Sequence, residues 1–168
     1  NGMVGKALIK ELEGKCKKIL YASKNKLNLT NQIKVNNLVK KNKPDVIIMT
    51  AAKVGGIYAN NYFPGEFIYD NLLIQSNIIE SARVNKTKKL LFIGSSCIYP
   101  KNCKQPIKEK YLLTGELEKT NEWYAIAKIA GIKLCEALVK QYSFDAICLM
   151  PTNLYGPGDR YHPLHSHV

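Results

Sequence analysis

Three short stretches of the chain, VIIMT at 46–50, KLLFI at 89–93 and AICLM at 146–150, are apolar almost without a break. A strand with one face in water alternates apolar and polar residues. Continuous apolar character belongs to strands covered on both faces, the condition of a parallel sheet between layers of helix. The intervening segments have the spacing such a sheet needs. Val4, Leu8, Ile9 and Leu12 recur at helical intervals within 2–13, which ends at Gly14, a residue suited to a helix C-cap. Helices are likewise predicted over Gln32–Lys41, Phe67–Val84 and Glu122–Tyr142, with a short strand over Lys18–Ala22. Strands alternating with helices predict an α/β domain with a Rossmann-like, doubly wound parallel sheet.

Composition narrows the class. With 168 residues, 46% hydrophobic and 23% charged, the chain suits one domain with its own core. No apolar run approaches a membrane span and no secretory signal opens the chain, so a cytoplasmic protein without a membrane partner is expected. The five cysteines, at 16, 97, 103, 135 and 148, include no Cys-x-x-Cys pair, which predicts reduced thiols and no zinc site. The net charge of +12 raises nucleic acid as a partner. The lysines, however, gather at 15, 17, 18, at 40, 41, 43 and at 86, 88, 89, near the ends of predicted helices, where cations complement the helix dipole. An anionic small molecule fits the charge as well, and no nucleic-acid partner is expected.

The chain opens on NGMVG, a Gly-x-x-Gly loop already entering a helix. In a nucleotide-binding α/β sheet a central first strand feeds such a loop, and backbone N–H groups at the helix start hold phosphate. No such strand precedes Gly2 and Gly5, and the stop at Val168 leaves no room for a second lobe. The expectation is a partial NADP-binding domain over 1–168, with the first strand and the C-terminal substrate lobe missing from this chain. Lys24, Lys26 and Asn28 follow the predicted second strand, where an acidic residue would bind the ribose of NAD; basic residues there favour NADP.

Two further stretches carry chemistry. GSSCIYP, 94–100, ends a buried strand in two hydroxyls and a thiol, and WYAIAK, 123–128, places Tyr124 and Lys128 four apart on one helix face. In a chain with ten tyrosines and many lysines that pair alone decides nothing. Its position does: both stretches lie at the C-terminal edge of the sheet, where ligands bind. A lysine beside a tyrosine is expected to lower the phenol pKa and make it an acid or base near neutrality, while Ser95 binds a carbonyl oxygen. Taken singly, Cys97 and Tyr124 are also what ordinary packing supplies. His162, His165 and His167 form a short histidine tract, but with Asp159 as its one nearby carboxylate no metal site is expected.

Together AAKVGGIYANN (51–61), GSSCIYP, YAIAKIAGIKLCE (124–136) and MPTNLYGP (150–157) resemble the extended short-chain dehydrogenase/reductases, and among them the NADPH-dependent epimerase/reductases of GDP-4-keto-6-deoxy-D-mannose. The resemblance spans nearly the whole chain. It implies a catalytic triad of Ser95, Tyr124 and Lys128, and an epimerisation acid/base pair of Cys97 and His167. It places cofactor-binding positions at Gly2, Met3, Val4 and Gly5, and at Lys24, Asn25, Lys26, Leu27, Asn28 and Leu29. Further positions fall at Ile93, Gly94, Ser95 and Ser96, at Lys128, at Pro151, Thr152, Asn153 and Leu154, and at His167. It also implies a GDP-sugar substrate and a homodimer for the full-length protein. A sibling nucleotide-sugar 4-epimerase or 4,6-dehydratase, and an inactive truncated fragment, stand as the alternatives.

Overall fold

The computed structural model describes residues 2–23 and 25–159. Lys24 and His167, both assigned roles above, lie outside the described residues, as do His162 and His165. The elements run α1 (Met3–Leu12), α2 (Gln32–Asn42), β1 (Val46–Met49), α3 (Ile57–Tyr62), α4 (Pro64–Val84), β2 (Lys89–Ile93), α5 (Glu122–Tyr142) and β3 (Ala146–Leu149). Short 3-10 turns at Ser96–Ile98, Glu109–Tyr111 and Lys119–Asn121 interrupt the long connection between β2 and α5. No described helix is long and apolar enough to cross a membrane.

The strands form one parallel sheet in the order β1-β2-β3, with Val46 opposite Lys89 and Leu90 opposite Ala146. Parallel strands require crossovers, and α4 and α5 supply them, giving the Rossmann-like arrangement expected. Side chains alternate along β2, so Leu90 and Phe92 are both fully buried while Leu91 and Ile93 are half-buried. Ile79 and Ala82 of α4 and Ile132, Cys135 and Leu138 of α5 join Leu90 and Phe92 in the core. Val46, Ile147 and Leu149 are exposed at the sheet margins.

Local signals set the helix ends. Asn31 caps α2 by accepting from the Lys34 N–H at 2.9 Å, and α2 closes on Lys43 in the left-handed region at φ 43°. α4 begins at Pro64, three residues before the predicted Phe67, because proline at the first helical position lacks only an N–H that would be unpaired there.

One expected element is not formed. Residues 18–22 have strand-like composition but no strand, and Leu20 and Tyr21 are exposed. A strand is a relation between two segments, and no described segment supplies a ladder to 18–22.

α5 lies close on β2 because Gly131 has no side chain. A Cβ there would stand 2.6 Å from Phe92 Cζ and 2.8 Å from Gln75 Oε1, both on buried side chains. Gly131→Ala gains about 1 kcal/mol of helix propensity but overpacks the core by roughly 1–3 kcal/mol. The expected net result is a loss of about 1 kcal/mol, read as a lower midpoint in urea unfolding of the full chain.

Candidate active site

The site is built where β2 ends. Gly94 continues the parallel ladder, its N–H donating to Leu149 O at 2.7 Å, and the Ser96 N–H donates to Pro151 O at 3.0 Å. A Cβ on Gly94 would meet Leu149 O at 3.1 Å, so glycine permits this close approach of strand ends. Ser95 is extended, at φ −162° and ψ 149°, and its Oγ accepts from the Cys97 N–H at 3.4 Å as the chain turns into Ser96–Ile98. That turn leaves Cys97 half-buried beside Ser95.

From α5, Lys128 reaches the same edge. It is 3% exposed, and its ammonium donates to Ile93 O at 2.7 Å while lying 4.9 Å from the Phe92 ring centre and 5.7 Å from that of Tyr124, one turn earlier. Burial holds the Lys128 pKa down at about 8, from an ordinary 10.5. The Cys97 thiol is pushed up by burial, while a hydrogen bond with Ser95 and the charge of Lys128 pull it back. Ser95, Cys97, Tyr124 and Lys128 therefore share one electrostatic environment at the end of β2.

The tyrosine departs from expectation. Lys128 was expected to lower its pKa, yet Tyr124 lies well above its ordinary 10, first because it is desolvated and second because of the Cys97 charge. The physical reason is that both side chains are largely buried. Desolvation penalises the phenolate and the ammonium alike and is the largest influence on each. At neutral pH Tyr124 carries its proton, the state of a proton donor.

The expected cofactor positions divide into two groups. Gly2 stands at the N-cap of α1 with open space around its α-carbon, and a Cβ on Gly5 would lie 3.4 Å from Thr50 Oγ1, just beyond β1. The start of α1 thus meets the same sheet edge as Ser95, with no acidic residue in its first turn. Lys26 and Leu27 donate their N–H groups to Ser23 O, making a turn. Asn28 and Leu29 have structural duties: Asn28 Oδ1 accepts from Thr30, and Leu29 O accepts from Asn77 Nδ2 at 2.9 Å. Thr152, Asn153 and Leu154 are exposed beyond Pro151.

Two residues at this edge were not singled out in the sequence. Asn71 of α4 is 2% exposed, and its amide accepts from Lys53 N at 2.8 Å and donates to Lys53 O at 2.9 Å, pinning the loop after β1. The Lys53 ammonium is itself held by Glu66 and by Asp70. Gln75, one turn further along α4, donates to Ala127 O at 2.5 Å. Their signal was available: two amides four apart on an otherwise apolar helix face.

A glycine-led helix start and the residues Ser95, Tyr124 and Lys128 meet one edge of a parallel sheet, and the chain belongs to the NAD dependent epimerase/dehydratase family, whose model matches residues 1–168. Among curated proteins it is 55% identical over 167 residues to a GDP-L-fucose synthase of Sinorhizobium fredii, covering 99% of this chain and 53% of that protein. It is 52% identical over 168 residues to the GDP-L-fucose synthase of Escherichia coli, covering 99% of this chain and 52% of that one. Among solved structures, a GDP-mannoheptose C4 reductase from Campylobacter jejuni with NADP bound superposes with a TM-score of 0.91 at 38% identity, over 95% of this chain and 51% of that one. The chain spans about half the length of the curated relatives it matches.

Proposed function

We propose that the protein to which this chain belongs is an NADPH-dependent 3,5-epimerase and 4-reductase that converts GDP-4-keto-6-deoxy-D-mannose to GDP-L-fucose. The observation that carries the reading is the convergence of Cys97, a thiol a simple reductase does not need, with Ser95, Tyr124 and Lys128 at the end of β2. The identity to GDP-L-fucose synthases supports the substrate.

The residues present fit a dinucleotide phosphate. The open N-terminus of α1 offers backbone N–H groups, Gly2 leaves room for close approach, and Lys26 lies in the turn after 18–22. Bound there, NADPH would supply the hydride for reduction at C4. Lys128 would hold the nicotinamide ribose, and Gly94, Ser96 and Pro151–Leu154 would line the nicotinamide side.

A 4-keto sugar is acidic at C3 and C5, both alpha to the carbonyl. Inversion at each centre needs one group to remove a proton and another to return one to the opposite face. Cys97 serves as one of these groups: burial pushes its thiol above the ordinary range, keeping it protonated and able to return a proton, while the Ser95 hydrogen bond and the Lys128 charge act in the opposite direction. His167 is proposed as the other. Ser95 and Tyr124 donate to the C4 oxygen as negative charge develops there during proton removal. Tyr124, protonated at neutral pH, then gives its proton to that oxygen when C4 is reduced.

The full chain mixed with GDP-4-keto-6-deoxy-D-mannose and NADPH is expected to oxidise one NADPH per GDP-L-fucose formed, followed by absorbance and by chromatography of the sugar nucleotide. NADPH oxidation that yields only a C4-reduced sugar with unchanged C3 and C5 would identify a reductase instead.

A further inference from the structure

We propose that Gln75 of α4 is a positioning residue for Lys128: its buried amide bonds the α5 backbone at Ala127 and so fixes where the Lys128 ammonium meets Ile93 at the end of β2. The inference rests on the role given to Lys128 above.

Gln75 is 2% exposed, and its Nε2 donates to Ala127 O at 2.5 Å. Ala127 lies inside α5, where its carbonyl already has the helical partner four residues on, so Gln75 engages a second lone pair. Volume alone does not call for an amide here. The surrounding α4 face carries Phe67, Ile78 and Ile79, and leucine or methionine would fill the space without the cost of burying a polar group.

The bond falls on one particular turn of α5. Gly131, four residues after Ala127, brings the helix backbone against both Gln75 and Phe92, with a Cβ there standing 2.8 Å from Gln75 Oε1 and 2.6 Å from Phe92 Cζ. The 127–131 turn is therefore wedged between α4 and β2. Lys128 lies in that turn, and its acceptor Ile93 follows Phe92 directly. Apolar contacts between α5 and its neighbours allow small slides along the helix axis at little cost. A directional hydrogen bond from a buried side chain does not. Asn71 and Asn77, the other buried amides of α4, bond the Lys53 backbone and Leu29 O, which leaves Gln75 as the polar tie from α4 to α5 among the hydrogen bonds of the described residues.

The test uses the full chain with two substitutions. Gln75→Met keeps the shape and removes the donor. Gln75→Glu supplies a donor only while its carboxyl is protonated. Positioning predicts that Gln75→Met lowers kcat roughly 10- to 100-fold, as a misplacement of about 1 Å does, while the Kd for NADPH changes less than about threefold. It predicts that Gln75→Glu approaches wild-type kcat at low pH and loses it as the carboxyl ionises, a limb absent from wild type. The Lys128 ammonium protons, shielded by Ile93, should exchange with solvent roughly tenfold faster in Gln75→Met than in wild type by nitrogen-15 NMR. That readout needs no turnover: an inactive wild type would count against the enzymatic reading, while this comparison still decides the placement of Lys128. A folded Gln75→Met with kcat within about twofold of wild type and unchanged exchange would overturn the inference. Should that variant not fold, a Gln75→Glu profile parallel to wild type at every pH would overturn it equally.

Discussion

Replacing Lys128 with methionine is expected to stop turnover and at the same time make the protein more stable. The ammonium is buried, with a pKa of about 8 in place of 10.5, so the folded state at neutral pH bears the cost of keeping that charge out of water. At 1.36 kcal/mol per unit of pKa, the cost is about 3 kcal/mol. Losing the bond from this charged donor to Ile93 O returns roughly 1.5–3 kcal/mol of it, leaving a net gain of about 1 kcal/mol for Lys128→Met. The sign with pH follows from proton counting. Between about 8 and 10.5 the unfolded chain holds this proton and the native chain does not, so wild-type stability rises with pH across that window. Below about 8 both states are charged and the penalty is present in full. The variant lacks the group, and its advantage in Tm should be largest at neutral pH and shrink toward pH 10. Turnover should fall roughly 10³-fold, because the cation both holds the nicotinamide ribose and favours charge development on the C4 oxygen. Thermal melts at two pH values and steady-state rates of the full chain check both halves.

Cys97→Ser is the second large effect. The substitution changes one atom, keeps the small polar side chain beside Ser95 and leaves the proposed cofactor positions untouched. The hydroxyl is nevertheless far too weak an acid to carry a proton between faces of the sugar ring near neutrality. Loss of one acid/base group costs roughly 10²- to 10⁴-fold, so epimerisation should fall in that range. NADPH binding, read by nicotinamide fluorescence, should remain within about twofold of wild type, since the thiol is not placed against the cofactor. A loss of both together would mean that the serine had disturbed the Ser96–Ile98 turn rather than removed a chemical group.

The strands β2 and β3 and the helix α5 were legible in the sequence because several signals agree there. β2 and α5 begin and end where predicted, at Lys89–Ile93 and Glu122–Tyr142, with periodicity and flanking residues pointing to the same limits. α3 was not legible: IYANNY is too short to show a period. The Lys18–Ala22 segment has the right local composition, but strand formation depends on a neighbour, which local composition does not encode. At the site, the four-residue spacing of Tyr124 and Lys128 was visible, and so was the placement of Ser95 and Cys97 at a strand end. The shift of Tyr124 was not. A tyrosine and lysine on one helix face suggest a lowered phenol pKa, whereas the extent to which both are dried out, which reverses that, depends on residues from β2 distant in sequence. Gln75 was marked by its spacing from Asn71 on an apolar helix face, but its partner was not legible, since the acceptor lies 52 positions away.

The central claim is that Cys97 belongs to an epimerase and not only to a reductase. Deuterium entry at C3 and C5 of GDP-4-keto-6-deoxy-D-mannose, followed by NMR in deuterated water with the full chain and no NADPH, tests it directly. The account predicts exchange at both carbons with wild type and its collapse in Cys97→Ser. A folded, NADPH-binding wild type that leaves both positions protonated would contradict it and leave a C4 reductase.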